Sequence, residues 1–237
     1  MRVLTAMVWV STALLVPAGN ALAAEQVIIE ARAARYTAGA MLDAAAPIVL
    51  AAGEFVLLAT EDGRLLRVEG PHDGPVAGAP GADEDTVRRA LARLVTTEGP
   101  EVGGVGGVRG DAAAALDTRP EPWLVDAAQA GDQCVRRDGV AQLWLEGAGD
   151  GTSVEITDPA RDVTALARWD AASGRSAWPE QLGPQDGQIY LVRDVAEVRS
   201  VAIRVHALPS GVGASGLAAA AWLAAKGCTA QARLLLR

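Results

Sequence analysis

Glu54-Phe-Val-Leu-Leu-Ala-Thr-Glu-Asp-Gly-Arg-Leu-Leu-Arg-Val-Glu69 sets two short apolar runs around an Asp-Gly pair. Phe55 to Ala59 is a strand-length run, and Leu65 to Val68 is a second one of similar length. Asp62-Gly63 between them supplies the positive φ angles that a tight type I′ turn needs, so the stretch predicts a β-hairpin. Working outward from it, the chain reads as mainly β with a few helices.

Upstream lie two further strand-like runs, Gln26-Val-Ile-Ile-Glu30 and Pro47-Ile-Val-Leu50. Downstream, Gly70-Pro71 ends the pattern, and residues 71–82 carry three prolines and three glycines, the composition of a loop. The period then changes. Val87, Ala90, Leu91, Leu94 and Val95 recur at helical spacing, which predicts an amphipathic helix over 83–96. Asp83, Glu84 and Asp85 sit at its start, where the helix dipole favours acids. Glu84 with Arg88, and Asp85 with Arg89, have the spacing of helix-surface ion pairs.

From Trp123 to Leu208 strand signals return about every ten residues, with turn pairs such as Asp138-Gly139, Asp150-Gly151 and Asp186-Gly187 between them. The seven runs are 123–126, 133–135, 141–145, 153–156, 165–169, 189–192 and 201–205. Short strands at that spacing predict a small antiparallel sandwich. After Pro209, Leu217 to Lys226 and Thr229 to Leu236 read as a helix pair separated by Gly227, expected to pack on the sandwich. The resulting plan is a signal peptide (1–23), a small β domain (24–75), a linker (76–118) holding helix 83–96, a β-sandwich (119–209) and a C-terminal helix pair (210–237).

The signal peptide rests on Met1-Arg2, an uncharged run from Val3 to Val16, and the small residues of Ala21-Leu-Ala23. The run is short for a bilayer span, and no second stretch of about twenty apolar residues occurs later. The expected location is therefore periplasmic, with cleavage near Ala23 and no stable membrane span afterwards. A retained N-terminal anchor is the other reading of the same residues. Formal net charge is −8, and Lys226 is the single lysine. Phosphate binding needs clustered Lys and Arg, so nucleic acid is an improbable partner.

Cys134 and Cys228 are the two cysteines. In an oxidising compartment an isolated pair is expected to form a disulfide. It would close a loop of about 95 residues, nominally worth about 4 to 5 kcal/mol by chain entropy. Two separately buried thiols are the alternative.

Groups for catalysis are scarce. His72 falls in the predicted loop and His206 on the outward side of the last strand, with no Gly-x-Ser-x-Gly elbow to complete a triad. Glu146, Asp150, Glu155 and Asp158 lack the spacing of a calcium loop. The tract Gly103 to Gly110 fits neither the dinucleotide nor the P-loop pattern and reads as linker. Arg109-Gly-Asp111 is a chance tripeptide in a chain rich in those residues. No catalytic residue, metal ligand or cofactor is expected. Trp123, Trp144, Trp169 and Trp178 are expected mainly as core for a sandwich otherwise built of Ala and Val. Trp178-Pro179, in a Gly/Ser/Pro-rich stretch, is the candidate for ligand contact.

One resemblance extends this reading. Ala46-Pro-Ile-Val-Leu-Ala-Ala-Gly-Glu-Phe-Val-Leu-Leu58, then Glu61-Asp-Gly-Arg64 and Val68-Glu-Gly-Pro71, resemble the FecR-type periplasmic β domain, over about residues 36–71. The resemblance implies an exported β module. Members that act on sigma factors carry a cytoplasmic helical region and a membrane span before this domain, and an export signal stands there instead. Sigma-factor control is therefore not implied. The expected function is a non-catalytic binding or scaffold protein of the cell envelope, with an envelope protein or glycan as partner. The alternatives are an exported hydrolase with a dispersed site, or an accessory protein of envelope signalling.

Overall fold

In a computed structural model, residues 25–76, 78–96, 119–169, 174–194, 200–213 and 216–237 are described. The signal segment, the Gly-rich tract and the Arg-Gly-Asp tripeptide lie outside them. The fold is mainly β, with several sheets and a short helix pair at the C-terminal side.

β1 (Glu25–Arg32), β2 (Met41–Asp43), β4 (Phe55–Thr60) and β5 (Leu65–Glu69) form one antiparallel sheet in the order β2-β1-β4-β5. β3 (Ile48–Leu50) and β6 (His72–Gly74) pair separately as a two-stranded ribbon. The predicted loop over 71–82 therefore contains a strand, and His72 sits in it opposite Leu50. β4 is a continuous apolar run because both of its faces are covered. Leu57 and Ala59 face one cluster, while Val56 and Leu58 join Ile48, Leu50, Leu66 and Val68 on the other. A strand buried on both faces has no polar alternation to show.

The β4–β5 hairpin forms, but its turn differs from the expected type. Asp62 keeps negative φ and Gly63 alone is left-handed, at 82°. The Gly63 N–H donates to Thr60 O and the Thr60 N–H to Arg64 O, both at 2.9 Å. This is a three-residue connection, a turn followed by a glycine bulge, rather than a two-residue type I′ turn. Thr60 and Arg64 both bond the Asp62 carboxylate and hold it in place.

α1 (Glu84–Thr96) matches the predicted helix, and Asp83 Oδ2 accepts the Thr86 N–H at 2.8 Å as its N-cap. The expected ion pairs along the helix do not form among the described residues. Arg89 donates to Thr86 instead, and Arg93 reaches across to Glu30 at 2.9 Å.

The second half is a sandwich, as expected. β11 (Val163–Arg168), β10 (Ser153–Asp158), β13 (Ile189–Asp194), β14 (Ser200–Ala207) and β8 (Gly131–Val135) form a five-stranded sheet in that order. β12 (Arg175–Ala177), β9 (Gln142–Trp144) and β7 (Leu124–Asp126) form a three-stranded one. Trp169, Trp178, Tyr190, Ile156, Ile203 and Leu143 fill the space between. The sandwich is not wholly antiparallel: β8 pairs β14, and β7 pairs β9, in parallel. The chain enters through β7, crosses to the other sheet for β8 and returns for β9, so β7 and β9 run the same way.

Of the C-terminal pair, α3 (Thr229–Leu235) packs against sandwich strand β8 as expected, whereas α2 (Leu217–Ala225) sits mainly on the N-terminal sheet, with its Leu223 reaching Cys134. α2 and α1 lie together on the N-terminal sheet, where Trp222 and Ala218 to Ala221 meet Val27, Ile29, Leu57 and Leu91. α2 is apolar all round because it is covered all round. α3 bridges the two halves. Its Arg233 donates through Nε and Nη2 to Val95 O at the end of α1, at 3.1 and 2.6 Å. Its Gln231 binds both the N–H and the C=O of Cys134 in β8.

Between the helices, Gly227 takes φ 80°. The Gly227 N–H donates to Ala224 O at 3.0 Å and the Cys228 N–H to Leu223 O at 2.8 Å, a Schellman cap. That cap delivers Cys228 to β8. The Cys134 and Cys228 sulfurs are at disulfide distance, 2.09 Å, as the cysteine pair predicted.

Candidate functional site

Pro120-Glu-Pro-Trp123 leads into β7. Pro122 has no N–H to donate and restricts the residue before it to extended backbone, which keeps this segment out of the ladder. Gln231 Nε2 donates to Pro122 O at 2.6 Å, so α3 fixes the segment from behind. Trp123 is thereby left half-buried at the rim of the sandwich, while Trp144, Trp169, Trp178 and Trp222 are 7%, 1%, 2% and 0% exposed.

In front of Trp123 is an open groove of about 310 Å³. The β8–β9 turn forms one wall with Arg136, Asp138 and Val140, while Gln142 of β9, Arg175 of β12 and Glu121 complete the lining. Val140 stands out at 73% exposure, high for a branched apolar side chain. The charges in the groove are mutually satisfied. Arg175 Nη2 contacts Glu121 Oε1 at 2.7 Å. The Arg136 guanidinium grips Asp138 with Nε and Nη2, at 2.9 and 2.6 Å. That hydrogen bond holds the Asp138 carboxyl below its ordinary range and pushes the Arg136 guanidinium up. The exposed Gln142 carboxamide has no protein partner among the described residues. A second hollow of about 80 Å³ lies on the far side of Arg136, lined by Arg137, Leu208 and Ser210.

Trp178, the ligand contact expected from sequence, is core. Its ring stands edge-on to Tyr190, with centroids 5.0 Å apart and planes at 82°. The Gly/Ser/Pro surroundings suggested exposure, but the Trp178 backbone N–H donates to Ala141 O at 2.9 Å, and the ring lies buried between the sheets. Trp123 was grouped with the core tryptophans. Its distinguishing signal is position: Pro120 and Pro122 precede it, at the start of the 123–126 run.

His206 is more enclosed than expected. Its side chain is 14% exposed, with Nε2 2.8 Å from Asp132 Oδ1 and Nδ1 3.8 Å from Asp186 Oδ1. Arg204 reaches the same Asp132 oxygen at 3.6 Å. No hydroxyl or thiol among the described residues bonds this imidazole, so the cluster has an acid and a base but no nucleophile. His72 Nε2 donates to Gly74 O at 3.1 Å, closing its own strand.

The acids considered for calcium are dispersed. Glu155 pairs with Arg193. Asp158, 1% exposed, accepts from Arg161, from Gln188 Nε2 at 3.0 Å and from the Ala160 N–H at 2.9 Å. Burial pushes the Asp158 carboxyl up, but the Arg161 and backbone hydrogen bonds outweigh it and hold the group below its ordinary value. Among the described residues no group of three or more His, Cys, Asp and Glu is placed to hold a metal ion. Among them also, no helix is long and apolar enough to cross a membrane. Compared with family models, with curated proteins and with solved structures, the chain matches none.

Proposed function

We propose that the chain is a periplasmic, non-catalytic binding or scaffold protein of the cell envelope, working through the groove in front of Trp123. One observation carries the reading. Among the described tryptophans Trp123 is the one that is not buried, and it shares a groove with a strongly exposed Val140. Partly exposed aromatic and apolar surface gathered at a concave rim marks a contact site better than scattered exposed residues do. The two imidazoles support it from the other side, since both are engaged in holding the fold. The FecR-like stretch and the signal-like N-terminus supply the compartment in this reading.

The test joins location to contact. The periplasmic fraction should contain the protein with its N-terminus at Ala24, within about two residues, by intact mass. The purified mature protein should co-sediment with isolated envelope fragments, and both Val140→Asp and Trp123→Ala should lose that association while staying folded. Retention of Arg2, or co-sedimentation unaltered in both variants, would overturn the proposal.

A further inference from the structure

We infer that the occupant of the Trp123 groove is a neutral saccharide segment; this rests on the binding reading above and specifies its ligand. The first argument is charge. The groove contains two guanidiniums and two carboxylates, and each cation is already paired with an anion, Arg175 with Glu121 and Arg136 with Asp138. An anionic ligand would meet a carboxylate beside each guanidinium, and a cationic one a guanidinium beside each carboxylate. With two charges of each sign the groove has no net charge, so neither sign of ligand is attracted. An uncharged ligand leaves both pairs in place.

The second argument is the kind of surface. A pyranose ring is amphipathic: its C–H faces are apolar and its rim is a ring of hydroxyls that each donate and accept. The partly exposed Trp123 ring and the exposed Val140 offer the apolar contact. Around them stand planar polar groups held in place before any ligand arrives. Arg136 is locked by both its Nε and its Nη2, and Arg175 and Glu121 brace each other. Gln142, with no protein partner among the described residues, brings a donor and an acceptor in one planar group, which suits vicinal hydroxyls. An apolar peptide would leave these polar groups desolvated and uncompensated, at a cost for each. The volume of about 310 Å³ fits a short segment rather than a polymer face. It sits at the lower end of ligand-pocket sizes, about 300–1,000 Å³.

The test is an array of immobilised glycans, neutral and acidic, probed with the full mature protein. A set of random heptapeptides is printed on the same surface. Binding to one or more neutral glycans is expected, weakened about ten-fold or more in Trp123→Ala, the usual effect of removing an aromatic anchor. Gln142→Ala, at an exposed position of β9, should also weaken it. Near-ultraviolet circular dichroism and melting temperature show whether each variant is folded. Binding confined to acidic glycans or to peptides, or binding that survives both substitutions, overturns the inference. So does silence across the array. Where envelope co-sedimentation persists and still depends on Val140 but no neutral glycan binds, the saccharide inference fails and the binding reading stands. Where co-sedimentation is independent of Val140 and Trp123, the binding reading itself fails.

Discussion

The Cα atoms of Cys134 and Cys228 lie 5.9 Å apart across 94 residues of sequence, both side chains buried at the junction of β8, α2 and α3. The bond joins the sandwich to the helix pair whose α2 covers the other sheet, so it fastens the two halves of the molecule. Thiol titration of unfolded, unreduced protein should find no free thiol. Cys228→Ser should lower stability by about 2–5 kcal/mol, measured by urea denaturation. Two titratable thiols would refute the bond.

His206 anchors Asp132, and Asp132 in turn lies against Gly227, where a Cβ would come within 3.0 Å of Oδ2. His206→Ala should therefore cost about 1–2 kcal/mol through the lost charge-assisted hydrogen bond. His72→Ala should cost less than about 1 kcal/mol, since it removes one neutral bond at a strand end. The double variant should still fold and bind envelope fragments within a few-fold of the parent. A catalytic histidine contributes a factor of about 100 or more. A folded double variant that reproduces the deletion phenotype in cells would contradict the non-catalytic reading.

Asp158 gives a pH dependence whose sign follows from its depressed carboxyl. The unfolded chain binds the proton more readily than the folded one there. The stabilisation is therefore fully present above the unfolded value, about pH 4, and is lost as pH falls through the lower folded value. Asp158→Asn should be less stable than the parent at pH 7, and the difference should shrink steadily below about pH 4. Thermal melts at pH 7, 5, 4 and 3 decide it; a gap that widens on acidification would contradict the assignment.

Trp178, Trp169 and Trp222 each bury an indole N–H with no acceptor among the described residues. Removing an unsatisfied donor offsets part of the cost of a smaller ring. Trp178→Phe should cost less than Trp178→Ala, which should cost about 3–5 kcal/mol through the cavity it leaves. Both variants, when folded, should bind envelope fragments like the parent. Loss of binding in a stable Trp178→Phe would return this residue to the ligand site.

The seven expected sandwich strands were legible because alternation and turn pairs are local signals, as with Val201, Ile203 and Val205. β2, β6 and β12 were not, because Met41-Leu-Asp, His72-Asp-Gly and Arg175-Ser-Ala hold no β-branched residue and no Phe, Trp or Tyr, unlike the equally short β3, β7 and β9. The parallel pairings depend on which sheet β8 joins, a non-local choice. The seat of α2 was hidden for a different reason: Leu-Ala-Ala-Ala-Ala-Trp-Leu-Ala-Ala has no polar face to indicate which side meets a partner. The groove was half legible. The Asp138-Gly139 turn and the aromatic set could be read, but which tryptophan stays outside depended on Pro122 and on Gln231, more than a hundred residues away.

The seat of α2 on the first sheet also sets a clock. β1 and β4 leave the ribosome some 160 residues before the helix that covers Val27, Ile29, Leu57 and Ala59. At about 5–20 residues per second that is a wait on the order of ten seconds or more. Throughout it the sheet face has no cover from α2, so the N-terminal half cannot mature in the order in which it is made. The usual domain-by-domain sequence of folding is replaced by a closing step, in which helices made long after the sheet complete it.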